Sequence, residues 1–411
     1  MLDAGTTRHE DLRSGAGPWR HGSPRPPGRA LERDTRCDVA IVGAGITGAF
    51  LAEHLTALGF DVVVIDRERE GFGSTAASTA MLQWEIDLSL RELVALYGFE
   101  RAAEIFRLSF QAVEGLSALV RELALSCAFA RRETVYLAAG EVGPRELLDE
   151  AGLRQRAGLP GEFVEHAALM AAFGLDRAAA IVSPRSAEAD PLSLCHGLLL
   201  AAARRGARLI RDEAVAYDDA GRSAAVALSG GATVEAAHIV LATGYVMPDC
   251  VSDDLHSTSS SWAIATVPQS PQVLWPGGAL VWEASRDYCY CRTTPEGRIV
   301  FGGEDEGFSD PDRREKLAPA KTEALRARLQ ALFPHVRLDL DRAWSGAFGQ
   351  TADGLPLIGR VPGRPRLLAA YGYGGNGITF SFLAARLLGR LLRGGEEHWF
   401  RHFAVDRPRP G

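Results

Sequence analysis

No stretch of the 411-residue chain approaches the ~20 consecutive apolar residues that a helix needs to cross a bilayer. Residues 1–36 are polar and rich in Arg, Pro and Gly, and lack the apolar core of a secretory signal. A cytoplasmic protein with an N-terminal arm is expected, Trp19 being the residue suited to anchor that arm in a groove. The six cysteines, Cys37, Cys127, Cys195, Cys250, Cys289 and Cys291, form no C-x-x-C pair, and no His–Cys cluster has zinc spacing. They are expected as small buried apolar residues, with no metal centre. A basic surface is missing too: the net charge is −7, which argues against nucleic acid as a partner, since phosphate binding needs positive charge. The ten histidines are scattered and none holds a motif position. Hydrophobic content of 46% and charged content of 24% are ordinary for a globular protein, and the length suggests two interleaved domains.

What is present is concentrated in Asp38 to Asp66, DVAIVGAGITGAFLAEHLTALGFDVVVID. The apolar run Val39 to Val42 suits a buried parallel strand. Gly43, Gly45 and Gly48 follow in G-x-G-x-x-G spacing, then a helical pattern with Phe50, Leu51, Leu55 and Leu58, stopped by Gly59. A second apolar run, Val62 to Ile65, ends on Asp66. The pattern is a βαβ unit that binds a dinucleotide. Gly43 makes the turn, Gly45 admits a pyrophosphate, Gly48 lets the helix pack close, and the helix N-terminus, at Ile46 and Thr47, faces the phosphates. Asp66 accepts from ribose hydroxyls and repels a 2′-phosphate. A bare glycine motif is weak evidence; strand, glycines, helix and acid in the right order are not.

The rest of the chain reads as alternating elements. Gly71 to Asp87 is dense in small and hydroxyl residues, of which Ser74, Thr75, Ala77 and Ser78 are candidates for a second cofactor contact, together with Arg67 next to the ribose acid. One or two amphipathic helices are expected over 88–126, a strand over Thr134 to Ala139, and short helices over 143–180 with a strand near Ala179 to Val182. A helix over Leu192 to Arg205 leads to a strand from Arg208 that continues towards Val215. A hairpin is expected over Ala224 to Leu228 and Thr233 to Ala236, then a separate buried strand from His238 that ends at Thr243 and Gly244 over the ligand crevice. Strands at Ser257 to Val267 and Ala279 to Glu283, a hairpin over Tyr288 to Gly302, and a helix over Pro319 to Leu332 follow. Near the end, a strand over Leu367 to Tyr371 meets Gly372, Gly374, Gly375 and Gly377 and a helix from Thr379. This second strand–glycine–helix unit again offers backbone N–H groups and a dipole end.

The opening motif, GSTAAS, the Ala242-Thr243-Gly244 strand end and the terminal DGLPLIG…GYGGNGIT together resemble the flavin-dependent D-amino-acid oxidase superfamily, which includes glycine oxidase and sarcosine oxidase. The resemblance covers most of residues 36–395. It implies an α/β fold: a Rossmann-like FAD-binding domain of glutathione-reductase type, interleaved with a mixed-sheet α+β substrate domain. The FAD domain is expected over 37–90, 190–250 and 340–411, and the substrate domain over 91–189 and 251–339. In the family the final glycine cluster lies beside the flavin ring, a place that falls here to Gly374, Gly375, Asn376, Gly377, Ile378 and Thr379. Val215, Gly346 and Pro356 complete the cofactor candidates.

Three departures from the family bear on function. The arginines that clamp a substrate carboxylate in amino-acid-oxidising relatives are replaced by Phe348 and Gly375, which leaves Arg292 as the candidate clamp. The lysine that helps sarcosine oxidase react with oxygen is replaced by Val300, so the electron acceptor is oxygen or another molecule. No cysteine stands near Gly346 to link the flavin, so non-covalent FAD is expected. The implied reaction is oxidation of the C–N bond of a small amine or amino acid: hydride passes to flavin N5, and the imine is hydrolysed. Gln83, Trp84, Tyr245, Tyr290, Arg292, Phe348, Gln350 and Tyr373 are the candidate pocket and catalytic residues. Two other readings stay open. A flavin monooxygenase would share the FAD domain but usually shows a late Gly-Asp-Ala motif, which is absent here. A non-catalytic or RNA-modification protein that holds FAD is disfavoured by the acidic charge.

Overall fold

The computed structural model describes residues 12–19 and 23–408. The expected arm is therefore described only in part, its residues 1–11 and 20–22 lying outside the described residues. Two sheets organise the chain. The first has eight strands and runs Leu357–Val361, Arg364–Tyr371, Thr233–Leu241, Thr35–Val42, Val62–Asp66, Arg208–Arg211, with Ala224–Leu228 and Ala214–Asp218 branching from Thr233–Leu241. The five strands from Arg364–Tyr371 to Arg208–Arg211 are parallel. Their central residues Ala40, Ile41, Val63, Ile65, Ile239, Val240, Leu367 and Leu368 are buried, as strands covered on both faces must be. Helices Ile46–Ala57, Pro191–Arg204 and Gly377–Leu392 cover one face, the first of them packed between the other two. The branch strands and Met247, Val251 and Val405 close the other.

The second sheet has ten strands, in the order Arg13–Gly15, Leu340–Gln350, Ser257–Thr266, Ile299–Glu306, Tyr290–Thr293, Leu280–Ala284, Ala130–Ala138, Ala179–Glu188, Met81–Leu82, with Glu162–Glu165 also on Ala179–Glu188. It is mixed: Leu280–Ala284 runs parallel to Ala130–Ala138 and the other pairings are antiparallel. Helix Pro311–Leu332 packs on its strands Ser257–Thr266, Ile299–Glu306 and Leu340–Gln350. Among the described residues no helix is long and apolar enough to cross a membrane. All six cysteines are free thiols.

Several expected boundaries move, each for a physical reason. The two strands expected over Thr233 to Ala236 and His238 to Gly244 are one, Thr233–Leu241. Its first half pairs with Ala224–Leu228 while nearly its whole length pairs in parallel with Thr35–Val42. Alternating burial gives way to continuous burial as it enters the interior, which made one strand look like two. The helix expected from Pro319 begins at Pro311, because the Asp310 carboxylate accepts from Arg313 N at 2.7 Å and caps it, and Pro319 stands inside it. Leu340–Gln350, expected in the cofactor domain, is a strand of the second sheet, held along ten residues by Ser257–Thr266. Helix Phe99–Glu122, expected in the substrate domain, packs on Gly377–Leu392. Trp19 does anchor the arm, but in the interior. It is 6% exposed, among Ala76, Leu192 and Trp344, with the Arg292 guanidinium 4.8 Å from its ring centroid.

The Asp353-Gly354-Leu355-Pro356 turn is locked by Arg407. Arg407 Nη2 and Nε donate to the two Asp353 carboxylate oxygens at 2.7 and 2.9 Å, and its other donors reach the carbonyls of Leu355 and Pro356. Tyr97 Oη donates to the same carboxylate at 2.6 Å. Burial pushes the Asp353 carboxyl up, but the Arg407 and Tyr97 hydrogen bonds outweigh it and hold the group below its usual range. Such a depressed carboxyl stabilises the fold above its unfolded pKa and loses that contribution as pH falls through the folded one. Arg407→Ala leaves a buried carboxylate unpaired and is expected to lower unfolding stability by about 3 kcal/mol, read as a shift in urea midpoint. Arg36→Ala, which breaks the exposed pair with Glu235, is expected to leave the urea midpoint essentially unmoved.

Candidate active site

The site is built where the first sheet's strand ends meet the second sheet. Gly43 turns out of strand Thr35–Val42 at φ +113°, and a Cβ there would stand 2.2 Å from the Ala242 carbonyl oxygen. At Gly48 a Cβ would stand 1.8 Å from the Gly43 carbonyl oxygen, so only glycine lets helix Ile46–Ala57 dock on the strand end. Asp66 ends the next strand. Its Oδ2 accepts from Ala44 N at 2.6 Å and its Oδ1 from Glu68 N at 2.8 Å. Burial pushes its carboxyl up to about 6 against those two donors.

The hydroxyl-rich segment supplies the next wall. Thr75 Oγ1 accepts from Ile46 N at 3.0 Å, and Trp344 Nε1 donates to the Ala77 carbonyl at 2.8 Å. The segment is thereby fixed between the first glycine motif and the second sheet. The terminal glycine cluster forms a third wall: a 3-10 turn, Gly374–Asn376, leads into helix Gly377–Leu392. Asn376 Nδ2 donates to the Glu85 carbonyl at 2.7 Å, Thr379 Oγ1 to the Gln83 carbonyl at 2.9 Å, and Gly375 N to Asp87 Oδ2 at 2.7 Å. The hydroxyls of Thr47 and Ser381 are hydrogen-bonded at 2.7 Å, which joins the first glycine-led helix to the last.

Most residues anticipated from the sequence line one cleft: Gly43, Gly45, Ile46, Thr47, Asp66, Arg67, Ser74, Thr75, Ala77, Ser78, Thr243, Gly244, Gly346, Gly374, Gly375, Asn376, Gly377 and Ile378. Gln83, Tyr245, Tyr290, Phe348 and Tyr373 line it as well. Gly48 and Thr379 stand just behind, in the close contacts given above. Val215 is passed over, its neighbours Glu213 and Ala214 taking the wall. Pro356 belongs to the Arg407 lock and Gln350 to the strand opposite Ser257; neither lines the cleft.

Two expected pocket residues are structural. Trp84 is fully buried against Phe106 and Phe110, and its indole N–H is satisfied by the Pro184 carbonyl at 2.9 Å. Arg292 does not reach the cleft. Its Nε donates to the Thr79 carbonyl at 2.6 Å and Nη2 to that of Ala189 at 2.8 Å, while Nη1 pairs with Glu188 Oε2 at 3.2 Å. Arg292 shares a strand face with Tyr290, as spacing by two requires, but lies further along, where Glu188 and Trp19 cover it. It is not free to clamp a carboxylate. Among the cleft residues that went unnoticed in the sequence are Asp87, Ser261, Tyr288 and Asp305. Tyr288 was legible as the same-face neighbour of Tyr290. Nothing local marks the two acids: Asp87 lies in a loop, and Asp305 between Glu304 and Glu306 reads as part of a solvated acidic strand end.

Burial pushes the Asp87 carboxyl up to about 6, with only the Gly375 N–H to offset it. A folded pKa above the unfolded 3.8 means that the fold holds this proton more tightly. The group's contribution to stability is therefore greatest below pH 4 and declines as pH rises through 6. Asp87→Asn keeps an acceptor for Gly375 N and removes the charge. It is expected to raise the cofactor-free protein's stability by on the order of 1 kcal/mol at pH 7.5, with the gain shrinking to roughly a third of that at pH 4.5, in urea titrations at the two pH values.

The cleft fits FAD on its own atoms: a backbone cradle where no Cβ can stand, a ribose-type acid, and orphaned buried polar atoms (Ser74 Oγ, Gln83 Nε2, Ser345 Oγ) on lining residues. Comparison with known proteins agrees. Residues 38–391 match the family described as FAD dependent oxidoreductase. Gamma-glutamylputrescine oxidoreductase of Escherichia coli (strain K12) is 27% identical over 91% of this chain and 87% of its own length. Glycine oxidase of Bacillus licheniformis is 24% identical over 90% of this chain and 98% of its own. The crystal structure of glycine oxidase from Geobacillus kaustophilus has a TM-score of 0.77 at 22% identity, covering 91% of this chain and 99% of that one. That of L-proline dehydrogenase from P.horikoshii has 0.73 at 18%, covering 93% and 98%. These structures bear out the expected fold of a cofactor sheet interleaved with a mixed sheet. With a family match over most of its length, the chain belongs to the FAD-dependent oxidoreductases, and its cofactor is FAD.

Proposed function

We propose that the chain oxidises the C–N bond of an amine or amino acid, with FAD held non-covalently in the cleft. The observation that carries the reading is that two glycine-led helices meet one wall of a cleft whose opposite side is the mixed sheet, with Tyr288, Tyr290, Ser261 and Asp305. Glycine oxidase and gamma-glutamylputrescine oxidoreductase among the relatives support an amine or amino acid as the compound oxidised. Bound FAD supplies the acceptor for a hydride leaving the carbon next to nitrogen, and the imine that remains hydrolyses in water.

The chain's own groups bind, orient and exclude water. Gly43, Gly45 and the N-terminus of helix Ile46–Ala57 hold the pyrophosphate, and Asp66 takes the ribose hydroxyls and rejects a 2′-phosphate. Ser74, Thr75 and Ser78 offer hydroxyls along the same wall. The cluster Gly374 to Ile378 would set a helix N-terminus towards a bound flavin, where its dipole would favour negative charge. No histidine lines the cleft among the described residues. Burial pushes the Tyr245, Tyr290 and Tyr373 phenols above their usual range, so they stay neutral donors and not bases. The chain therefore takes a neutral amine nitrogen at the reacting carbon, and its tyrosines and aromatic walls keep that carbon dry and in line. In domain terms the first sheet with its helices carries the cofactor, and the second sheet, including Leu340–Gln350, carries the substrate side.

Anaerobic addition of amines and amino acids to the yellow holoenzyme is expected to bleach the flavin band with at least one of them. Readmitting air then reports whether oxygen is the electron acceptor. A flavin that stays oxidised across the whole panel would sink the reading. Arg292→Ala is expected to lower stability by on the order of 2 kcal/mol, since Glu188 keeps Arg132 at 2.8 Å but loses one of its two cations, and the Thr79 and Ala189 carbonyls lose this donor. It should leave the ratio of kcat/KM between amino acids and carboxylate-free amines unchanged. A selective loss on the amino acids would restore Arg292 as a clamp.

A further inference from the structure

Resting on the amine-oxidation reading, we propose that the cleft selects a substrate with a second cationic group and no carboxylate, a diamine or longer polyamine, and that Asp305 and Asp87 bind that distal cation. Asp305 lies in strand Ile299–Glu306 and lines the cleft, where its Oδ1 is buried and has no hydrogen-bond partner. Asp87 lines the cleft from the opposite wall and has one oxygen on Gly375 N at 2.7 Å. The two carboxylates and the Tyr288 hydroxyl are close enough to feel one another's charge.

Among the described residues neither carboxylate has a cation in salt-bridge contact. The basic residues lining the cleft are Arg67 and Arg69, which follow the ribose acid Asp66 in sequence. Lys321 is the one lysine whose charge reaches Asp305, and its ammonium is held by Glu306 at 2.9 Å and Glu304 at 3.4 Å. The other acid near this end, Glu85, is neutralised by Arg154 at 3.3 Å. Arg292, the remaining candidate to receive a substrate carboxylate, is committed to Glu188. A carboxylate entering here would meet two acids and no arginine, whereas an ammonium would meet two acids among the side chains of Tyr288 and Tyr290. Burial pushes both carboxyls up to about 6, further than the Ser261 hydroxyl and the Lys321 charge at Asp305, or the Gly375 N–H at Asp87, can offset, and at pH 7.5 both stay mostly ionised.

The test uses the holoenzyme at pH 7.5 with three matched series: α,ω-diamines, n-alkylamines and ω-amino acids, each with three to six carbons. Anaerobic stopped-flow reduction gives the limiting rate and the half-saturating concentration. Calorimetric binding to the dithionite-reduced holoenzyme gives affinity without turnover. A diamine is expected to half-saturate at least on the order of 10-fold below the alkylamine of equal length, and the ω-amino acid to be worst. Asp305→Asn is expected to raise the diamine's half-saturating concentration on the order of 10- to 100-fold, leave the alkylamine's within about 3-fold, and barely change the limiting rate. Asp87→Asn should erode the same preference. The proposal is overturned if ω-amino acids match or beat diamines in the wild type, a comparison that needs no variant to fold, or if Asp305→Asn leaves the diamine-to-alkylamine ratio unmoved. Diamine binding that depends on Asp305 but never bleaches the flavin would keep the cation site and sink the oxidation reading. Bleaching led by carboxylate-bearing substrates would do the reverse.

Discussion

The Gly43 carbonyl oxygen occupies the place where any side chain at position 48 would begin, 1.8 Å from an ideal Cβ. This steric fact decides where helix Ile46–Ala57 can lie. The helix starts at the strand end, so its N-terminal N–H groups point into the crevice and not along the sheet. A second close approach sets Ala242, just past Thr233–Leu241, against Gly43, and the Gly43 and Ala242 N–H groups donate to the Ile65 and Val42 carbonyls, which aligns three strand ends at one level. Asp66 is then reached by the Ala44 N–H, and Thr75 by the Ile46 N–H. The Thr47–Ser381 hydrogen bond joins this unit to a helix 334 positions later, and the two glycine clusters become one wall.

Charge is distributed unevenly around that wall. The chain has two lysines, and three of its interior arginines are spent on structure. Arg154 sits between Glu150 and Glu85, Arg292 on Glu188, and Arg407 on Asp353. The planar guanidinium can satisfy a carboxylate and neighbouring carbonyls at once, as Arg407 and Arg292 both do, which a lysine ammonium cannot match in a fixed geometry. Buried pairs of this kind specify which segments meet more than they add stability. Their consequence for chemistry is indirect. With the cations consumed behind the walls, the acids that remain in the cleft have only water or a ligand to balance them.

The elements that were legible in the sequence are those encoded by local chemistry. Gly43, Gly45, Gly48 and Asp66 announce their unit because turn, close approach and acceptor follow from residue type at fixed spacing, and the Gly374 to Gly377 cluster does the same. The errors share another origin. Tyr290 and Arg292 share a strand face, and alternation says so. How far along that face the cleft extends depends on Glu188 and Trp19, which are distant in sequence. Leu340–Gln350 was assigned by its neighbours in the chain, whereas its hydrogen bonds go to Ser257–Thr266 and Arg13–Gly15. Pro319 looked like a helix start, yet the aspartate that caps the helix stands nine residues earlier. Asp87 and Asp305 carry no local signal, since a loop aspartate and an acid within a Glu-Asp-Glu run are both normally solvated.

Those two acids and Asp66 explain why such a cleft is not filled by apolar packing. Each has its carboxyl pushed up to about 6 by burial. Relative to an unfolded chain, each therefore opposes folding progressively as pH rises from 4 to 6, and the full penalty stands at neutral pH. Apolar residues at the three positions would remove that penalty and close the cleft. A ligand that donates to Asp66 and brings positive charge to Asp87 and Asp305 lowers the three pKa values again, so its binding returns stability at neutral pH that the empty fold gives up. Affinity for cofactor and substrate and the instability of the unliganded cleft are thus the same interaction seen from two sides.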